Sequence, residues 1–118
     1  MKNLLRPDLR FRLNGRLWVE TEDDRFMGIG RLELLLQIQA HGSISKAAQE
    51  MGMSYKRAWE LVTSMNAQAA RPLVLTQTGG KRGGGTEVTP EGQQMIEAFQ
   101  ALQERFQAFL AAEAAHLL

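Results

Sequence analysis

Cysteine is absent from these 118 residues, and histidine occurs only twice, as His41 and His116, far apart in the chain. That removes disulfides, thiolate metal sites and cysteine nucleophiles, and leaves no cluster with metal-ligand spacing. No metal, cofactor or catalytic residue is expected. Long apolar runs are missing too: nothing approaches the roughly 18 to 20 consecutive apolar residues that cross a bilayer. The N-terminus, Met1 to Pro7, lacks the apolar stretch of a signal peptide. A cytoplasmic protein without a membrane partner is therefore expected. What remains, 44% hydrophobic and 23% charged residues, suits one core and leaves little room for a second.

Net charge is only +1, but its distribution is uneven. Between Ser43 and Pro90, Lys46, Lys56, Arg57, Arg71, Lys81 and Arg82 face only Glu50, Glu60 and Glu87. Beyond Pro90 the sign reverses, with Glu91, Glu97, Glu104 and Glu113 against Arg105. A basic middle and an acidic end are expected where one surface meets a polyanion and another does not. Charge alone is equally compatible with a solvated surface.

The chain opens with a loose arm of eight residues. Leu9 to Leu13 and Arg16 to Glu20 flank Asn14-Gly15, a dipeptide suited to a type I′ turn. The expectation is a β-hairpin with Phe11 opposite Trp18 and Leu13 opposite Arg16, and with Arg10 and Arg12 turned to solvent. An acidic connector, Glu20 to Asp24, leads to Gly28 and Gly30, which bracket the start of a helix. Its apolar face, Leu32, Leu34, Leu35, Leu36, Ile38 and Gln39, runs to His41, and Gly42 follows as a C-cap. Ser43 caps a helix over about 44–51 that stops at Gly52, and Ser54 caps a third over about 55–70. Pro72 precedes a strand over 73–77. After a glycine-rich stretch a second strand returns over 86–88, and Thr89-Pro90 opens the last helix.

The function-bearing segment is Ser45 to Leu61. A helix-turn-helix needs a small residue where its helices nearly touch and, four positions on, a residue tolerant of positive φ. Ala48 and Gly52 have that spacing, with Ala47, Met51, Met53, Ala58, Leu61 and Val62 as buried contacts. If that stripe faces inward, the third helix presents Ser54, Tyr55, Lys56, Arg57 and, a turn later, Glu60 to a major groove. Ser43, Ser45 and Lys46, at the start of the preceding helix, complete the DNA-facing set. Trp59 is assigned to the core. Glu50 and Glu60 are the only acids near the motif, without a nucleophile or base beside them, so an enzyme is not expected.

The stretch Thr78 to Gly85 holds five glycines around Lys81 and Arg82. A phosphate-cradling Walker loop would need a glycine at Leu75 and Ser or Thr at Arg82, and a dinucleotide loop would need a glycine at Val88. Both fail, and a basic wing against DNA backbone or minor groove remains. In the last helix, Met95, Phe99, Leu102, Phe106 and Phe109 are spaced 4, 3, 4, 3, a heptad seam. That stripe can pack on its own domain, but roughly 25 helical residues reach about 37 Å, beyond the width of so small a domain, so part of the seam is expected to join a second copy.

Gly42 to Ala48, Met53 to Trp59, Met65-Asn66 and Thr78 to Gly92 resemble the N-terminal DNA-binding domain of ModE-type molybdate-responsive regulators, which is itself related to the LysR-type winged helix. The match covers roughly residues 26–115. The resemblance implies a homodimeric winged helix-turn-helix that binds promoters in the bacterial cytoplasm. It carries recognition to Ser54, Tyr55, Lys56 and Arg57, and the wing to Lys81 and Arg82. Molybdate is sensed in that family through C-terminal oxyanion-binding domains; the chain stops at Leu118, so no small-molecule effector is expected on it.

The fold expected is α+β, mainly α: arm and β-hairpin over 1–25, winged helix-turn-helix over 26–90, and a dimerisation helix over 91–118. The partner expected is double-stranded DNA. The alternative is a winged-helix protein-interaction module with an incidental basic face, which would bind DNA weakly and with little salt dependence.

Overall fold

The computed structural model describes residues 1–77 and 85–118. Two short strands, β1 (Val19–Glu20) and β2 (Arg25–Met27), pair antiparallel ahead of three helices, α1 (Ile29–His41), α2 (Ile44–Glu50) and α3 (Tyr55–Gln68). A second antiparallel pair follows, β3 (Val74–Gln77) with β4 (Gly85–Val88), and then the long α4 (Pro90–Leu117). The architecture is mainly helical with two small hairpins, as expected.

Helix boundaries follow the capping chemistry. Gly42 ends α1 in the left-handed region, donating its N–H to the Ile38 carbonyl (2.7 Å), and its own carbonyl accepts from the Thr86 N–H of β4 (3.0 Å). The Ser43 hydroxyl accepts from the Lys46 N–H and the Ser54 hydroxyl from the Arg57 N–H, so both serines fill the N-cap role. Between α2 and α3, the Met53 N–H donates to the Ala48 carbonyl and the Gly52 N–H to that of Gln49. That pair of bonds is a Schellman motif, and Gly52 sits at its left-handed position with φ +67°. The turn therefore closes on the two residues whose spacing suggested it.

The core gathers Met27, Leu34, Leu35, Ile38, Ala47, Ala58 and Met65 around the crossing of the first three helices. Leu73, Val74, Ile96 and Phe99 seal it from the β3 and α4 side. Asn66 pins the start of β3: its Oδ1 accepts from the N–H groups of Leu73 and Val74, and its Nδ2 donates to the Val74 carbonyl. Thr89 caps α4 through the Gly92 N–H while its hydroxyl donates to the Pro72 carbonyl. Gly92 lies against the Leu73 carbonyl, where a β-carbon has no room.

The N-terminal hairpin stands later than expected. Residues 10–18 form no strand, and Gly15 does not adopt the positive φ that a type I′ turn needs. Instead the acidic connector turns the chain: Thr21 and Asp24 exchange backbone and hydroxyl bonds, and β1 pairs with β2 across them. Phe11 and Trp18 are therefore not partners. Trp18 lies under the Arg25 guanidinium, 4.2 Å from ring centroid to Cζ, and against Gly28. The preceding arm follows α4, with Gly15 facing the Phe106 ring and Lys2 to Phe11 sharing a cleft with Leu118.

Candidate nucleic-acid interface

The inward stripe of α3 consists of Ala58, Leu61, Val62 and Met65, all buried. At 3.6 residues per turn that stripe fixes where every other side chain points. Lys56 and Glu60 fall on the pole facing away from the core, and both are exposed. Tyr55 lies on one flank and borders the cleft between α3 and the β3–β4 hairpin, which Ser43, Thr76 and Gln77 also line. Arg57 lies on the other flank, in a cleft shared with Trp18, Arg25, Met51 and Met53. Its guanidinium is 3.9 Å from the Glu60 carboxylate.

Ser43 and Ser54 spend their hydroxyls on caps. Ser45 and Lys46 are exposed in the first turn of α2. Tyr55, Lys56, Arg57 and Glu60 share the exposed surface of the first two turns of α3. Lys81 and Arg82, with the rest of the glycine-rich wing tip, lie outside the described residues. Trp59 departs from expectation: it is 50% exposed rather than buried. It sits one residue past Ala58, about 100° round the helix, so the apolar stripe is complete without it. Gln39, expected on the apolar face of α1, is exposed and bonded to Gln93 of α4.

A polar network behind the interface was not legible in the sequence. Arg31, 8% exposed, donates through Nη1 to the Arg25 carbonyl (2.7 Å) and to Ser64 Oγ (3.0 Å). Ser64 in turn donates to the Asp24 carboxylate (2.7 Å), and Gln68 donates to the Arg25 carbonyl (2.9 Å). The Ser64 hydroxyl and then the Arg25 N–H hold the Asp24 carboxyl below its ordinary pKa, against a small opposing effect of burial. Burial pushes the Arg31 pKa down, while Asp24 opposes it and Arg57 and Arg25 reinforce it. The network locks the N-terminal hairpin onto α1 and α3, beside Arg57. Its only advance signal would have been the spacing that puts Ser64 and Gln68 one turn apart on α3.

Among the described residues no three potential metal ligands come together, and no helix is long and apolar enough to cross a membrane. A helix-turn-helix with an outward second helix and a following two-stranded hairpin defines a winged-helix nucleic-acid-binding domain. The profile of a family described as bacterial regulatory helix-turn-helix protein, lysR family, matches residues 29–93. The chain belongs to that family of regulatory helix-turn-helix proteins.

It is 48% identical over 77 residues to the molybdenum-pterin-binding protein MopB of Rhodobacter capsulatus, covering 65% of this chain and 28% of that one. It is 35% identical over 99 residues to the molybdenum transport protein ModE of Azotobacter vinelandii, covering 84% and 37%. To the DNA-binding transcriptional dual regulator ModE of Escherichia coli it is 38% identical over 88 residues, covering 75% and 34%. These likenesses bear out the resemblance to the DNA-binding domain of ModE-type regulators. The chain spans about a third of the length of these relatives.

Proposed function

We propose that this chain is a sequence-specific DNA-binding transcriptional regulator that works as a homodimer in the bacterial cytoplasm. The observation that carries the reading is the division of α3: a complete apolar stripe inward, and Tyr55, Lys56, Arg57 and Glu60 outward on its first two turns. A helix presented in this way enters a major groove with its N-terminal turns against base edges.

At the outward pole, Lys56 donates to guanine O6 or N7 and Glu60 accepts from cytosine N4, with Tyr55 beside them. Arg57 was expected to read bases. Its place on the hairpin flank, beside Arg25 and held by Glu60, instead suits a phosphate. Ser45 and Lys46 on α2, and Lys81 and Arg82 on the wing, add backbone contacts that set the register. Ser43 and Ser54 serve through their caps.

Dimerisation rests on α4. Its 28 residues are about 42 Å long at 1.5 Å per residue, and the molecule measures 67 Å along its longest axis against 28 and 24 Å. Phe99 was expected in the dimer seam but is 2% exposed within the domain's own core, so it is not free to meet a partner. Met95, Leu102 and Phe106 are half-buried and Phe109 is 59% exposed. Two such helices crossing antiparallel near Leu102 bring Phe109 of each copy to Met95 of the other, seven residues either side of the crossing. Met95 lines an open groove with Phe26, Ala69, Leu73 and Ala98, which the phenyl ring would fill.

Selection of bound fragments from random duplex DNA at physiological salt tests the function. One recurrent motif repeated with two-fold symmetry, bound with a log-log salt slope of about −0.9 per phosphate contact, is the expected result. Recovery of no motif, with a flat slope, would leave only a protein-interaction role.

A further inference from the structure

Trp59 is half exposed on α3, outside the buried apolar stripe of Ala58, Leu61, Val62 and Met65. It shares a flank with Tyr55, one turn earlier, and Tyr55 borders the wing-side cleft. Arg57 occupies the opposite flank, and Lys56 and Glu60 stand between. The exposed surface of α3 is thus ordered across its width: cationic toward the N-terminal hairpin, charged at the pole, aromatic toward the wing. The aromatic flank has its own chemical preference. Among the base edges displayed in a major groove, the apolar group is the C5 methyl of thymine, and apolar side chains are what meet it. Trp59 lies within the first two turns of α3, the part of a recognition helix that reaches base edges.

Resting on the DNA reading above, we propose that Trp59 is a specificity-determining residue whose indole covers a thymine methyl on the wing side of α3. Loss of that contact removes the preference for thymine at one position in each half of the bound site. The polar neighbours Lys56 and Glu60 then read the adjoining pairs, and the phosphate contacts are untouched.

The test uses the full chain and the duplex it selects, with each thymine replaced in turn by deoxyuridine, a change that removes the methyl group alone. One replacement should weaken binding by the unaltered protein about fourfold, the fold-change that corresponds to burying one methyl-sized group. Trp59→Ala should bind the selected duplex less tightly and be indifferent to that same replacement. Trp59→Phe should keep part of the sensitivity, and both variants should keep the salt slope of the unaltered protein. The Phe variant and the scan on unaltered protein decide the matter if the Ala variant folds poorly. Selective binding that no thymine replacement disturbs overturns the methyl contact while leaving the DNA reading intact, as does equal sensitivity in Trp59→Ala. Failure of the unaltered protein to prefer any duplex overturns both together.

Discussion

Asn66 does at one position what a sheet would otherwise need several residues to do. Its side-chain amide fills both a donor and an acceptor role toward Leu73 and Val74, fixing where the chain leaving α3 becomes β3 and hence where the wing stands relative to α3. Truncating it leaves two part-buried N–H groups and a carbonyl without that partner, so Asn66→Ala should cost roughly 1 to 3 kcal/mol. Urea unfolding measures the loss; a midpoint equal to that of the unaltered protein would show that water replaces the amide freely. Asp24 acts by charge instead. Its folded pKa lies below the ordinary 3.8 because Ser64 and the Arg25 N–H hydrogen-bond its ionised form. A depressed carboxyl stabilises the fold fully above the unfolded pKa, and the contribution fades as the pH drops through the folded value. Asp24→Asn should therefore lower the urea midpoint at pH 7, and the gap should close only as the pH falls through the folded pKa, below 3.8. Because Asp24 is solvent-exposed, the difference should also shrink with added salt; a gap that persists unchanged to pH 2 argues against the charge as its cause.

At the level of elements, the helices were legible because their signals are local: Ser43, Ser54 and Thr89 cap, Gly42 and Gly52 terminate, and the apolar stripes repeat at helical spacing. The first hairpin was not, because the local turn preference of Asn14-Gly15 gives way to packing along α4, where Gly15 faces the Phe106 ring, whereas the pairing of Val19 with Met27 depends on Arg31, Ser64 and Gln68 gripping the far strand. Trp59 was misplaced for a related reason. Hydrophobicity suggested burial, but the helical register had already filled the inward stripe, so the angle outweighed the residue type. The same angular reading separates Lys56 from Arg57, adjacent in sequence yet about 100° apart on α3. Lys56→Ala should lose roughly 1 to 3 kcal/mol on the selected duplex and little on a scrambled one, whereas Arg57→Ala should weaken both alike and shallow the salt slope by about 1. Fluorescence titration of both duplexes at several salt concentrations distinguishes the two. A selective loss for Arg57→Ala would return that residue to the base edges.

On the scale of the whole molecule, α4 divides into a half that belongs to the domain and a half that reaches beyond it. Gly92, Ile96 and Phe99 are buried against the core, while past Leu102 the N-terminal arm runs alongside the helix, and Phe109 faces solvent among Ala108, Ala111 and Ala112. The seam was visible in the sequence as an unbroken heptad, but periodicity cannot say which rungs are spent internally; that depends on where β3 and β4 seat the helix. Because Phe109 is 59% exposed in the single chain, replacing it leaves the core untouched. Phe109→Asp should therefore melt at the same temperature as the unaltered protein at concentrations where both are monomeric, yet sediment as a monomer where the unaltered protein sediments as a dimer. Met95→Asp should have the same effect on association from the other side of the contact, and the pair Met95→Glu with Phe109→Lys should restore it, since the antiparallel crossing sets those positions face to face. Binding to a two-fold site should fall with dimerisation and recover with it, while binding to an isolated half-site stays level. A dimer that survives every one of these substitutions would have to be built on the arm, and α4 would then serve only as the strut along which the arm lies.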